Sequence, residues 1–447
     1  MIMEDTEIAM NNRSSRLSVF FLITLLLVAC TQPGGQNTPT QAPKATESAQ
    51  ATEAPPPTAA PKPTDAPKAT DAPKATPAPS GGDASQQTDE QIKTGIQEAL
   101  DTYAKAYNDN DGELLKTVVD QENVPFRRLV QTRFDTYQES IRAGTGTFSF
   151  RVNDITKRDL GFIQANILSG GGSALDWTFR YNGKSWVISE PSEAQIGKRV
   201  KTESEAFIFL TYPWADNVNP EIMKLMEQAR ETVKTKLGKA PDKKAEVLIK
   251  PIFSLPPPES ANALAYYARG SRAGVPDRMV IFAPFSFAFG GYDPSRGWEA
   301  DLEETLVHEY THLVNNRSFT PIARMSDWMV EGLAEYVSSP DAAYNRGVPL
   351  AVQTDQIIPI ADTSGAVNKQ DLEHLTILDK DVSLGYGLAT ALVEYIVETH
   401  GGLDGFWKLV GNYDKMQNLD KALQESFGIG LPEFEQSWHT WLKQKYG

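Results

Sequence analysis

Two helix-forming stretches place the tightest constraint on how this 447-residue chain can fold. The first is Leu306-Val307-His308-Glu309-Tyr310-Thr311-His312, and the second is Asp327-Trp328-Met329-Val330-Glu331-Gly332-Leu333-Ala334-Glu335-Tyr336. On a helix, His308 and His312 are four residues apart and project from one face, one turn from each other. Two imidazoles in that relation can share a single tetrahedral metal ion, which needs a third protein ligand. Glu331, separated from His312 by eighteen residues and lying past a loop containing Pro321, supplies a carboxylate on the second helical run. A fold that uses all three must lay the second helix back against the first. Glu309, next to His308, would then face the open metal position, where a carboxylate can take a proton from water. Glu335 lies one turn past Glu331 on the same face, where it can accept the free N–H of a ligating histidine and fix its tautomer.

The order His-Glu-x-x-His, eighteen residues, then Glu within Trp-Met-Val-Glu-Gly-Leu-Ala-Glu-Tyr resembles the gluzincin metallopeptidases, the clan of thermolysin and aminopeptidase N. Within that clan it is most similar to the bacterial peptidase MA-like domains. The resemblance implies His308, His312 and Glu331 as ligands of one Zn²⁺ per chain and Glu309 as general base. The apolar run 385–396 resembles the helix with which the family carries a tyrosine toward the zinc. Tyr386 is the candidate for that role, donating to an oxyanion as it forms; a packing role is the alternative, and Tyr395 the second candidate. The segment Gly-x-Met-Glu-Asn, with which aminopeptidase N relatives recognise a free amino terminus, does not occur in the chain. Its absence counts against exopeptidase action. His400, near a helix end, is expected to cap by the dipole, while His374 and His439 lack ligand spacing and are expected at the surface or in packing.

The beginning of the chain reads differently. Residues 10–16 are basic, and Leu17 to Ala29 form an apolar run too short to span a bilayer comfortably, the pattern of a secretion signal. Leu27-Val28-Ala29-Cys30 resembles a bacterial lipobox, which implies cleavage before Cys30 and lipid attachment to its sulfur. Cys30 is the single cysteine of the sequence, so no disulfide can form within the chain. An uncleaved anchor or a plain signal peptide is the alternative, and either leaves the remainder outside the cytoplasm. Residues 31–87 are rich in Pro, Ala and Thr with almost no large apolar side chains. Such a stretch cannot bury enough surface to offset its ordering entropy and is expected to be a disordered, partly polyproline tether.

Composition changes at Thr88. Thr88-Asp89-Glu90-Gln91 has capping-box form, and Ile92, Ile96, Leu100, Tyr103 and Tyr107 follow at helical spacing. A second amphipathic stretch covers 124–141, and strand-like runs cover 147–155, 161–168 and 175–189, the last broken by a turn at Asn182-Gly183. Helices followed by a meander ending in Trp177-Thr178-Phe179-Arg180-Tyr181-Asn182-Gly183-Lys184-Ser185-Trp186-Val187 resemble the cone-shaped domain of the nuclear transport factor 2-like superfamily. The resemblance covers 88–195 and implies a cone able to hold a ligand; a spacer or substrate-docking role is expected. Residues 198–447 are expected to form the catalytic unit, with strands at 205–211, 246–252 and 279–283 and a helix at 220–237 stopped by Gly238. In gluzincins the strand before the zinc helix lies at the cleft edge, where an extended peptide can pair with it. The loop 284–298, with Phe285, Phe287, Phe289 and Tyr292, would border that cleft, its rings serving either as side-chain pockets or as core.

The expected fold class is therefore α+β, a nuclear transport factor 2-like cone domain followed by a mainly helical, thermolysin-like gluzincin domain with a small mixed sheet. The expected function is that of a zinc metallopeptidase hydrolysing peptide or protein substrates at the extracytoplasmic face of a cell membrane, anchored through lipid on Cys30. A formal charge of −15 with no long basic run leaves no electrostatic footprint for nucleic acid, which is not expected as a partner. Two other readings stay open on the sequence: an inert lipid-anchored binding or scaffold protein that retains the fold, and a zinc hydrolase acting on a non-peptide bond.

Overall fold

The computed structural model describes residues 87–141, 147–255, 263–270, 276–360, 363 and 382–447. The signal segment with Cys30, the tether apart from Gln87, and His374 lie outside the described residues. Among the described residues no helix is long and apolar enough to cross a membrane.

The first described element starts as its sequence dictates. Thr88 Oγ1 accepts from Gln91 N at 3.3 Å and Gln91 Oε1 accepts from Thr88 N at 2.9 Å, a reciprocal cap that opens α1 (Asp89–Asp109). A short helix α2 (Gly112–Val118), not foreseen in the sequence, is capped by Asp111, and α3 (Val124–Ile141) follows. Four antiparallel strands come next, in spatial order β1 (Phe150–Lys157), β2 (Phe162–Ser169), β3 (Ala174–Tyr181) and β4 (Trp186–Ile188). The β3–β4 turn closes because Asn182 Oδ1 accepts from the N–H groups of Lys184 and Ser185 while Gly183 takes φ 90°.

The second part is built on a five-stranded mixed sheet. Its members are β5 (Val200–Glu203), β6 (Phe207–Thr211), β7 (Ala245–Lys250), β8 (Ala265–Ala268) and β9 (Arg278–Phe282), in spatial order β5-β6-β7-β9-β8. The three central strands are parallel, and both edge strands run antiparallel to their neighbours. Helix α4 (Asn219–Leu237) links β6 to β7 and ends on Gly238, whose φ of 71° is the left-handed stop that glycine tolerates best. After β9 the elements among the described residues are helices: α5 (Trp298–Ser318), α6 (Asp327–Ser338), α7 (Ala342–Asn345), α8 (Val348–Gln353), α9 (Val382–Thr399), α10 (Gly402–Met416), α11 (Leu419–Phe427) and α12 (Leu431–Tyr446). The fold is mixed, with small sheets and a helical C-terminal region, compatible with the α+β class.

One feature departs from expectation. The strand before α5 is not at the sheet edge: β9 has β7 on one side and β8 on the other, so the edge belongs to Ala265–Ala268. This strand is four residues long and carries no alternating pattern, which leaves nothing for periodicity to detect. Of the two roles open to the rings of loop 284–298, the structure takes the core: Phe285, Phe287, Phe289 and Tyr292 are all buried. Phe287 lies among Trp177, Phe126 and Tyr103, with ring centroids 4.7, 5.4 and 6.3 Å away, inside the helices and sheet of the first part. Its backbone is held as well, its carbonyl accepting from Arg133 Nη1 at 2.7 Å and its N–H donating to Glu190 Oε1 at 2.8 Å. Tyr292 forms a two-bond bridge with Ala174 and donates its hydroxyl to Asp176 at 3.0 Å. An aromatic ring gains more from such a dry seat than from a solvent-facing wall.

Candidate metal centre

Helix α5 carries His308, Glu309 and His312, and α6 packs back against it carrying Glu331 and Glu335. The close approach of α6 to α9 depends on Gly332: a Cβ there would stand 2.4 Å from the carbonyl oxygen of Ala389. That crossing sets α9, with Tyr386, beside the histidines. Gly387 plays the same part for the next segment, since a Cβ there would meet Arg346 Cβ at 2.9 Å.

Three lone-pair atoms converge between α5 and α6. His308 Nε2 is 3.2 Å from His312 Nε2 and 3.2 Å from Glu331 Oε2, and His312 Nε2 is 3.4 Å from the same oxygen. Ligands at about 2.0–2.1 Å from a tetrahedral ion stand about 3.3–3.4 Å from one another, so the triangle has the size of a metal's three-ligand face. The other nitrogen of His308, Nδ1, lies 3.2 Å from Glu335 Oε1, a contact that places its proton there and leaves Nε2 with its lone pair turned to the triangle. Atoms of His308, Glu309 and His312 able to bind a metal also lie within 4.8 Å of one another. Glu331 is nevertheless the better third ligand, because it makes the short edges while one oxygen of Glu309 accepts the N–H of Tyr267 at 2.8 Å.

Electrostatics agree with that geometry. Burial opposes charge on His308, yet the carboxylates of Glu331 and Glu335 raise its pKa well above the ordinary imidazole value. Burial likewise acts to raise the pKa of Glu331, but the imidazoles of His312 and His308 hold it well below the usual carboxylate range. The centre thus favours positive charge at the point where the three atoms meet, whether proton or metal ion. Glu335 is buried, and Arg346 and His308 overcome that burial and lower its pKa. Arg346 grips it bidentately, Nε to Oε2 at 2.9 Å and Nη2 to Oε1 at 2.8 Å.

Tyr386 stands close enough for the charge of Glu331, followed by burial, to raise its phenol well above the ordinary value, and the guanidinium of Arg346 lies 5.2 Å from its ring centre. The phenol is therefore a protonated donor throughout the neutral range. Tyr395 is elsewhere, packed among His400, Phe434 and Trp441. His400 packs at a tilt against Phe427 and Phe434, and burial lowers its pKa, the opposite of what a partly charged cap requires. His439 lies against Trp438. Arg346 and Tyr267 were not foreseen; each lies in a short or irregular segment whose local pattern carries no sign of the site.

Two imidazoles and a carboxylate brought to one point by facing helices make a centre of the kind that metallopeptidases carry. Residues 288–444 match the family model described as Peptidase MA superfamily, and this region of the chain is accordingly metallopeptidase-like, of the MA clan. No curated protein matches the chain.

Proposed function

We propose that this protein is a zinc-dependent metallopeptidase in which His308, His312 and Glu331 hold one Zn²⁺. The observation that carries the reading is the triangle of Nε2, Nε2 and Oε2 atoms, which has edges of 3.2, 3.2 and 3.4 Å. A zinc ion bound there supplies Lewis acidity toward a water molecule and toward the scissile carbonyl. Glu309 takes the proton of the attacking water and passes it to the leaving amine. Tyr386 donates to the oxyanion, and Glu335, gripped by Arg346, keeps His308 in the ligating tautomer.

The remainder of the proposal rests on sequence. Residues 1–30 are a lipoprotein signal, lipid on Cys30 holds the protein at the extracytoplasmic face of a cell membrane, and 31–87 tether it. Residues 88–195 are a nuclear transport factor 2-like domain, a reading supported by their helices-then-meander order. Residues 198–447 form the catalytic domain, its substrates are peptides or proteins, and nucleic acid is not a partner.

Mass spectrometry for metal on the purified protein tests the centre: about one zinc per chain in wild type, lost in His308→Ala. Glu309→Gln is expected to retain zinc while cleavage of a quenched fluorogenic peptide library falls by about 10²–10⁴-fold. A metal-free wild type that takes up no added zinc would end the proposal, and a zinc-loaded Gln variant with full activity would remove Glu309 from its role.

A further inference from the structure

The edge strand β8 does more than border the site. In an antiparallel pair, opposing residues alternate between those that exchange hydrogen bonds and those that do not. Phe282 N donates to Leu264 O at 3.0 Å, and the register pairs Ala265 with Ile281, Tyr266 with Val280, Tyr267 with Met279 and Ala268 with Arg278. Tyr266 and Ala268 therefore spend their backbone groups on β9, while Ala265 and Tyr267 turn theirs outward. The outward N–H of Tyr267 donates to Glu309 Oε2 at 2.8 Å.

The side chain of the same residue is anchored farther along α5. Its phenol donates to Asp277 Oδ2 at 2.8 Å and accepts from Asn316 Nδ2 at 3.0 Å. Asn316 lies seven residues after Glu309, two turns on along the same helix face. Asp277, just ahead of β9, is locked in turn by Arg317 of α5, with Nη2 to Oδ1 at 2.6 Å and Nε to Oδ2 at 3.0 Å. One tyrosine thus lies along α5, clasped at its hydroxyl end by groups from α5 and from the root of β9, and bonded at its backbone end to the carboxylate beside the first histidine.

We infer that Tyr267 is the positioning residue of Glu309: its phenol, held by Asp277 and Asn316, fixes β8 at the height on α5 where its outward N–H holds one carboxylate oxygen. The second oxygen is left to exchange protons with substrate water. The inference rests on the reading of Glu309 as general base. A glutamate carboxylate on three flexible torsions samples several rotamers, and a charge-assisted bond to a rigid amide selects one. Loss of that alignment slows the chemical step without touching the groups that bind a peptide.

The test uses the full-length, zinc-loaded protein and two readouts. The first is residue-resolved amide hydrogen exchange over β8. Tyr267 N–H is expected to be protected in wild type and to lose protection in Glu309→Ala, while Tyr266 and Ala268, bonded to β9, keep theirs. Tyr267→Phe and Asp277→Asn are expected to reduce protection at residue 267 as well. The second readout is kinetics on a quenched fluorogenic peptide selected from a library with wild type. Tyr267→Phe is expected to lower kcat by about 10- to 100-fold with KM within twofold and zinc content unchanged, and Asp277→Asn to do the same. A merely structural role would shift thermal stability and the fraction of active molecules, and would leave kcat per zinc-loaded chain in place.

An active wild type whose Tyr267 amide exchanges as fast as that of Glu309→Ala would overturn the inference alone. So would a Tyr267→Phe variant with wild-type kcat. If wild type cleaves no member of the library yet Tyr267 N–H is protected by Glu309, the hold on the carboxylate stands and the catalytic reading of that carboxylate falls.

Discussion

At the scale of single residues, one device recurs among the described residues, a carboxylate gripped by an arginine fork, and two of these carboxylates are fully buried. In the candidate metal centre the fork is Arg346, the carboxylate Glu335, and the group beyond it His308. In the first part of the chain it is Arg180 on Asp120, with Nε to Oδ2 at 3.1 Å and Nη2 to Oδ1 at 2.9 Å, and the hydroxyl of Ser189 adds a bond of 2.6 Å. Burial alone would raise the pKa of Asp120, but the fork and the hydroxyl more than offset it and leave the pKa lowered. A carboxylate whose folded pKa lies below its unfolded value stabilises the fold above the unfolded pKa, and that contribution is lost as pH falls through the folded one. Asp120→Asn is therefore expected to remove about 1.5–3 kcal/mol at pH 7, with the difference from wild type shrinking below about pH 4. Urea unfolding at pH 7 and pH 3 measures it, and a deficit of equal size at both would contradict the ionic origin. Glu335 was legible in the sequence because it lies one helical turn from Glu331. Arg346 was not, because it arrives from an irregular segment between short helices, and no spacing rule connects it to its partner.

At the scale of elements, the centre depends on how closely helices cross. Gly332 sits where α6 meets α9, and a Cβ there would fall 2.4 Å from a backbone oxygen, an obstacle no rotamer change can relieve. Gly332→Ala is expected to destabilise the protein by about 1–3 kcal/mol, as overpacking does, and to lower the thermal midpoint of the zinc-loaded protein. An unchanged midpoint would mean that the helices part without strain. The helices themselves could be read from the sequence, since α1, α3, α4, α5, α6 and α9 have long apolar faces or metal-ligand spacing. The order of the strands could not. Hydrophobic runs identify β6, β7 and β9 as buried, but a buried run says nothing about which strand lies outermost, and the outermost, β8, is a four-residue segment of Ala and Tyr.

At the scale of the whole molecule, the first part and the metallopeptidase-like region share a core. Phe287 comes from the loop that leads from β9 into α5, yet its ring sits among Tyr103, Phe126 and Trp177. Glu190 strengthens the junction by accepting the N–H groups of Phe253 and Phe287 at 2.7 and 2.8 Å. Phe287→Ala is expected to cost about 3–5 kcal/mol and to weaken both parts together in a single urea transition followed by tryptophan fluorescence and by zinc release. Two separate transitions in wild type, one for each signal, would show that the parts fold independently.

Two pairings were determined by local periodicity: four residues on a helix return a side chain to the same face, which joins His308 to His312 and Glu331 to Glu335 without any reference to the rest of the chain. Helix starts and stops at Thr88 and Gly238 were local in the same way. What only the tertiary structure decided were the relations between distant segments: Tyr267 beside Glu309, Arg346 on Glu335, β8 at the edge, and Phe287 in the core of the first part. These contacts join residues 11 to 184 positions apart. A sequence holds them in the balance of many weak packing terms, and no single pattern of residues spells out which surfaces will meet.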